Sequence, residues 1–144
     1  MRTTSTTQTK EELAPRLRWA ITRMARRLRQ ESGTDLGPSQ TAALATIERH
    51  GPLSPSELAD AERIKRPTAT RILRHLEEAG LVQRVKDPED GRASILSVSA
   101  DGRALLRRLR ARKTAYLATR LDNVDAKDRR TLERAAELLE AMLQ

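Results

Sequence analysis

The chain is almost devoid of aromatic side chains: Trp19 and Tyr116 are the only two, and phenylalanine is absent. A large β-sandwich or β-barrel is therefore disfavoured, because such cores are built from aromatic and β-branched residues. Alanine, which favours helix strongly, is abundant. Leucine, isoleucine and valine supply only 29 of the 144 residues, which is few for a monomeric core. We therefore expect a mainly helical protein that buries some apolar faces in a second subunit.

The charge balance is strongly basic, with 28 Lys and Arg against 20 Asp and Glu and a net charge of +8. This surplus is typical of proteins that bind nucleic acid or anionic membranes. An arginine-rich composition without a polyanionic partner is the alternative explanation.

Several classes of function are excluded or disfavoured by what the sequence lacks. Cysteine is absent, which rules out disulfides, thiol catalysis and cysteine-based zinc sites. No metalloprotease, phosphate-loop or serine-hydrolase motif is present, so we expect no enzyme, metal or cofactor. Residues 1–10 lack the apolar segment of a secretory signal, and no stretch is apolar enough to span a membrane. We expect a disordered lead over 1–10 and a cytoplasmic protein.

The strongest local signal is the segment LSPSEL at 53–58. Ser54 is predicted to be an N-cap, Pro55 the first helical residue and Glu57 the partner of Ser54 in a capping box. The short helix that follows is succeeded by a second one, which begins near Pro67 and ends before Gly80. Two helices joined in this way predict a helix–turn–helix.

Further elements flank this motif. Residues 11–30 carry an apolar stripe at helical spacing, and Pro38 fits the start of a second helix. The β-prone runs 81–86 and 93–99 flank a turn rich in Asp, Pro and Gly, which predicts a hairpin. Two more helices follow, capped by Ser99 and Asp125. The predicted fold class is mainly α with a small β-hairpin.

The segment 63–74 contains five cations and no acid. If Ala69, Ile72, Leu73 and Leu76 face the core, Thr70, Arg71 and Arg74 face outward. Arginine pairs bidentately with guanine, and threonine can reach a base edge or a phosphate. The alternative to DNA binding is an ordinary amphipathic helix whose arginines are solvated. We predict DNA contacts by Ser54, Ser56, Lys65, Arg66, Pro67, Thr68, Thr70, Arg71, Arg74, Arg84, Asp90 and Arg92.

Some of these residues have a second interpretation. Ser54 either helps the helix N-terminus to hold a phosphate or serves only as a cap. Arg84 either touches phosphate or forms a cross-strand pair, and Asp90 either pairs with an arginine or organises its turn. Arg92, at the hairpin tip, is placed to enter a narrow A·T minor groove, the alternative being an exposed turn residue.

The run 53–105 resembles the core motif of the MarR family of bacterial winged helix–turn–helix regulators. The resemblance is carried by ELA at 57–59, TATR at 68–71, LEEAGLV at 76–82, Asp90 with Arg92, and VSADG at 98–102. It implies a single domain over 11–144, in which a winged helix–turn–helix over 38–100 is flanked by dimerisation helices at 11–30 and 103–144. Lys65 and Pro67 depart from the family pattern, which commonly has small hydroxyl residues there.

The resemblance also implies a homodimer with recognition helices in the major groove of an inverted-repeat operator. It implies repression that a small phenolic or lipophilic effector relieves. Two alternatives stay open: the same fold without an effector, and a basic module that binds RNA or an acidic protein. The intersubunit core is predicted to contain Leu13, Leu17, Ile21, Met24, Leu132, Leu139 and Met142.

Overall fold

The computed structural model describes residues 7–91 and 94–144. Their elements confirm a mainly α fold with a small antiparallel hairpin. They form two compact units, one of Ser32–Arg110 and one of the chain up to Glu31 together with Ala111–Gln144. In the described residues no helix is long and apolar enough to cross a membrane. The elements are α1 (Lys10–Glu31), α2 (Pro38–His50), α3 (Pro55–Glu62), α4 (Arg66–Glu78), β1 (Val82–Lys86), β2 (Ser94–Val98), α5 (Ala100–Leu121) and α6 (Ala126–Met142).

Helices α3 and α4 form the predicted helix–turn–helix in the Ser32–Arg110 unit. The capping box of α3 is confirmed, since Ser54 Oγ accepts from Glu57 N and Glu57 Oε1 accepts from Ser54 N, both at 3.1 Å. The apolar face of α4 is also confirmed, because Ala69, Ile72, Leu73 and Leu76 are all buried. They join the core that α2, α3, the hairpin and the start of α5 build together.

The turn between α3 and α4 depends on an unusual backbone conformation. Arg63 has φ 54° and ψ 45°, and it is the only non-glycine residue with positive φ among those described. This left-handed conformation lets Ile64 N donate to Ala59 O at 3.0 Å and places the Ile64 side chain against the core. Most L-residues adopt such a conformation only at an energetic cost.

Replacement of Arg63 by glycine should therefore stabilise the protein. Glycine enters the left-handed region without a Cβ clash, so we expect Arg63→Gly to raise the free energy of unfolding by about 0.5–1 kcal/mol. Arg74→Gly, at an exposed right-handed position of α4, should lower it by about 1 kcal/mol. Urea unfolding measures both. A loss of stability in Arg63→Gly would show that the arginine side chain outweighs the backbone cost.

The hairpin is tied to the segment that precedes α3. Strands β1 and β2 pair antiparallel, with Val82 opposite Val98 and Lys86 opposite Ser94. On the other edge of β2, Leu53 and Leu96 exchange backbone hydrogen bonds of 2.9 and 2.8 Å. The base of the hairpin is thereby joined to the entry of the helix–turn–helix.

Helix α5 begins at Ala100, three residues before the predicted dimerisation segment, because Ser99 caps it. Ser99 Oγ accepts from Gly102 N at 3.0 Å and donates to Gly80 O at 2.7 Å. Gly102 is buried, and a Cβ placed there would lie 2.2 Å from Leu81 O. This approach of α5 to the start of β1 gives a physical reason for Ser99 and Gly102 in the VSADG motif.

The other unit contains α1, the end of α5 and α6. Helix α1 begins at Lys10, the last residue of the predicted lead, because Thr9 and Glu12 form a reciprocal cap. Residues 1–6 of that lead lie outside the described residues. The N-cap at Asp125 is confirmed, since its carboxylate accepts from Asp128 N at 2.8 Å. Neither α1 nor α6, each described over its full length, contains a buried residue.

Candidate nucleic-acid interface

One face of α4 is polar, basic and exposed. Pro67, Thr70, Arg71 and Arg74 are exposed on the side away from the core, and Thr68 is half-buried at its edge. Lys65 is the N-cap residue and Arg66 begins the helix, both also exposed. Seven of the twelve residues predicted to contact DNA are thus presented together on α4 and its N-cap.

The cations of this face are not neutralised by the acidic residues that the structure describes. Among the described residues, no carboxylate forms an ion pair with Lys65, Arg66, Arg71 or Arg74. Guanidinium and ammonium groups offer only hydrogen-bond donors. An exposed row of unpaired donors with positive charge is suited to phosphate oxygens and to the acceptor atoms of guanine.

The start of α3 lies in the same unit and presents two serines. The Ser54 hydroxyl is occupied by the capping box, which agrees with its structural interpretation. Ser56 is exposed in the first turn, where backbone N–H groups lack partners within the helix. Ser56 is therefore the serine whose hydroxyl remains available for a phosphate.

Arg84 on β1 has a partner that sequence reasoning did not anticipate. Its Nε lies 2.8 Å from Glu77 Oε2 on α4, while the residue opposite it in the hairpin register is Leu96. The suggested cross-strand pair is thus replaced by a strand-to-helix pair. About half of the Arg84 side chain stays exposed, so a phosphate contact by its outer nitrogens is sterically open.

The hairpin tip is described only in part. Asp87 Oδ1 accepts from Glu89 N at 2.9 Å, which organises the turn that leads to the exposed Asp90. Arg92, the predicted minor-groove residue, lies outside the described residues.

A cleft of about 570 Å³ adjoins the basic face of α4. It is bordered by the start of α2, where Ser39 and Gln40 lie, and by Thr68 and Arg71 of α4. Glu62 lines it as well and accepts a hydrogen bond from Thr46 Oγ1. Nothing in the sequence pattern indicated that the start of α2 and the outer face of α4 would be neighbours.

Comparisons with known proteins agree with the helix–turn–helix and hairpin described above. The family model for the MarR family matches residues 36–94, which include the helix–turn–helix and most of the hairpin. The uncharacterized HTH-type transcriptional regulator Mb0904 of Mycobacterium bovis is 35% identical over 132 residues, covering 91% of this chain and 92% of the relative. The chain belongs to the MarR family. As a MarR-family member it is a DNA-binding transcriptional regulator, and the prediction that it is not an enzyme is confirmed.

Solved structures support this family fold. A protein from Pseudomonas aeruginosa assigned as a transcriptional regulator superimposes with a TM-score of 0.84 at 35% identity, covering 96% of this chain and 99% of that one. A variant of MepR from Staphylococcus aureus, bound to an oligodeoxyribonucleotide, superimposes with a TM-score of 0.69 at 19% identity, covering 92% and 98%. The winged helix–turn–helix predicted from the sequence is therefore confirmed.

Proposed function

We propose that this MarR-family protein is a homodimeric, sequence-specific repressor that binds an inverted-repeat DNA operator and is released from it by a small lipophilic or phenolic effector. The observation that carries the DNA-binding part is the outer face of α4, where four exposed cations form no ion pair with any described carboxylate: Lys65, Arg66, Arg71 and Arg74. Repression and release by an effector rest on the resemblance to the family.

Support for the homodimer comes from apolar side chains that are exposed to solvent in the single chain. Helix α1 exposes Leu13, Leu17, Ile21 and Met24, each by at least 36%. Helix α6 exposes Leu132 by 49% and Met142 by 71%, while Leu139 is half-buried. Contiguous apolar surface on a soluble helix is typical of an interface, and these stripes coincide with the predicted intersubunit core.

Acidic substitutions on the α6 stripe should separate the dimer. Leu132→Glu places a charge on a residue that is half exposed in the single chain, so the chain should stay folded while association weakens. Leu139→Glu should do the same and also lower the melting temperature, because Leu139 is partly buried already. Light scattering at micromolar concentration measures the mass, and circular dichroism measures the fold.

Arg130→Glu, on the opposite face of α6, is the matched control and should leave the mass of the dimer unchanged. A wild-type protein that is folded and monomeric at micromolar concentration would contradict the proposed interface.

The geometry of a two-fold dimer predicts the form of the operator. Two α4 helices related by the two-fold axis read two half-sites of opposite orientation, whose centres lie about 10 bp apart if the duplex stays near B-form. Selection of bound duplexes from random DNA, followed by footprinting, tests this. We expect an enriched inverted repeat, and a single asymmetric half-site occupied by one chain would refute the proposal. A lack of preference among duplexes, with tighter binding to RNA, would favour the RNA-binding alternative.

The proposed role of the wing is tested at Arg92. Arginine is attracted to a narrow minor groove by its enhanced negative potential, so Arg92→Ala should lose most affinity on operators with A·T-rich flanks. Arg92→Lys should recover only part of this loss, because an ammonium group is more strongly hydrated. Equal binding of wild type and Arg92→Ala to A·T-rich and G·C-rich flanks would remove the minor-groove role.

A further inference from the structure

Helix α1 carries a basic groove on the side opposite its apolar stripe. The groove has a volume of about 300 Å³ and is lined by Thr22, Arg23, Arg26, Arg27 and Gln30. Their spacing of one, three, one and three residues keeps them on one face of the helix. The helical period places Leu17, Ile21 and Met24 on the other side, so an interface formed through the apolar stripe leaves this groove open to solvent.

A tyrosine links one arginine of this groove to an arginine of α5. Tyr116 Oη accepts from Arg27 Nε of α1 and from Arg120 Nε of α5, each at 3.2 Å. The two guanidinium carbons lie 5.5 and 5.3 Å from the centre of the Tyr116 ring. One phenol oxygen therefore holds two like charges close together. These hydrogen bonds, from Arg120 first and Arg27 second, lower the pKa of Tyr116 below its usual value.

The positive charge of this cluster is only partly neutralised. Arg27 Nη2 lies 2.9 Å from Glu31 Oε1. Among the described residues, Arg23 and Arg26 make no ion pair, although the Arg23 guanidinium lies 4.8 Å from the centre of the Trp19 ring. Among the described residues, the three arginines of the groove are thus opposed by one paired carboxylate, that of Glu31. Like charges gathered in this way repel each other, and an anion placed among them relieves the repulsion.

We propose that the groove on α1 binds a small oxyanion carrying at least two negative charges, of the phosphoryl or polycarboxylate class. Arginine offers a planar fork of N–H donors and no acceptor, which matches carboxylate and phosphate groups bidentately. Arg23 and Arg26 supply the forks, Thr22 and Gln30 supply neutral donors at the edge, and Tyr116 holds Arg27 in place. The groove belongs to the unit that contains α1, and the inference goes beyond the DNA contacts of α4.

Calorimetric titration of the full-length protein, without DNA and in a chloride buffer of constant ionic strength, tests the site. Inorganic pyrophosphate and citrate are the two probes. We expect one probe molecule per chain, with pyrophosphate alone binding if phosphoryl groups are preferred and citrate alone if carboxylates are. Arg23→Gln and Arg26→Gln should each weaken the binding of that probe about tenfold, which corresponds to the loss of one charge-assisted hydrogen bond.

Two controls distinguish a specific anion site from the general attraction of an anion to a basic protein. Arg130→Gln and Arg134→Gln remove the same charges from α6 and should leave probe affinity within about twofold of wild type. Tyr116→Phe keeps the net charge but releases Arg27 and Arg120, so it should weaken binding severalfold. Circular dichroism verifies that each variant is folded.

The inference is overturned if neither probe gives a saturable binding isotherm in the chloride buffer, or if the α6 variants lose as much affinity as the α1 variants. Because no DNA is present, this outcome is independent of the operator experiment.

Discussion

Gly102→Ala is expected to lower the melting temperature of the protein by about 10 °C or more. The added methyl group would lie 2.2 Å from Leu81 O and 2.8 Å from Val98 Cγ2, and the first of these atoms belongs to a backbone that Ser99 N also holds by a 3.0 Å hydrogen bond. Helix α5 would have to move away from the hairpin or the hairpin from the core. Overpacking of this kind costs about 3 kcal/mol or more, a large part of the stability of a domain this size.

Thermal unfolding monitored by circular dichroism measures the effect, and Gly91→Ala is the matched control. A Cβ at Gly91 meets no atom within 4 Å, so this variant should melt within a few degrees of wild type. A Gly102→Ala protein with wild-type stability would show that the close approach of α5 to Leu81 is relieved without cost.

Arg71→Ala should cause the largest loss of specific DNA binding among the single substitutions on α4. If Arg71 pairs with a base, its removal costs about 1–3 kcal/mol per half-site. A two-fold dimer loses this contact in both half-sites, so operator affinity should fall by between about one and a half and four and a half orders of magnitude. The preference for operator over random DNA should fall with it. Fluorescence anisotropy on both duplexes, at two salt concentrations, measures the effect.

Two variants distinguish base reading from phosphate contact. Arg84→Ala should weaken binding to all duplexes alike and make the salt dependence shallower if Arg84 touches phosphate. Arg134→Ala, which removes an exposed α6 arginine already paired with Glu137, should change little. An equal loss on operator and random DNA for Arg71→Ala would reassign this residue to the phosphate backbone.

The features that the sequence predicted correctly are those decided within a few residues. The capping box of Ser54 and Glu57 depends on a spacing of three, and the burial of Ile72 and Leu73 follows from a helical period. Gly80 ends α4 with φ 74°, a conformation glycine adopts at no steric cost. The outer face of α4 could be predicted for the same reason, because its composition and its period lie in one continuous segment.

The features that the sequence did not predict depend on contacts between distant segments. No local pattern pairs Arg84 with Glu77, or Leu53 with Leu96, since each pair joins two different structural elements that the tertiary fold brings together. The left-handed conformation of Arg63 was missed for another reason: arginine has no preference for it, and the tertiary position of Ile64 imposes it. The hydrogen bond from Arg27 to Tyr116 joins residues 89 apart along the chain, which composition and periodicity do not bring together.

The backbone bridge between Leu53 and Leu96 sets a mechanical condition on how a protomer can adapt to DNA. A hairpin attached only through its own strands could rotate about its base. Its tip could then lie at a different distance from the helix–turn–helix on each operator. Here β2 is held along both edges, so a tilt of the hairpin pulls on Leu53, which lies two residues before the start of α3. The distance between the wing and the helix–turn–helix is therefore held nearly constant within a protomer. Operators of different groove width or curvature must then be accommodated by deforming the duplex or by moving whole protomers.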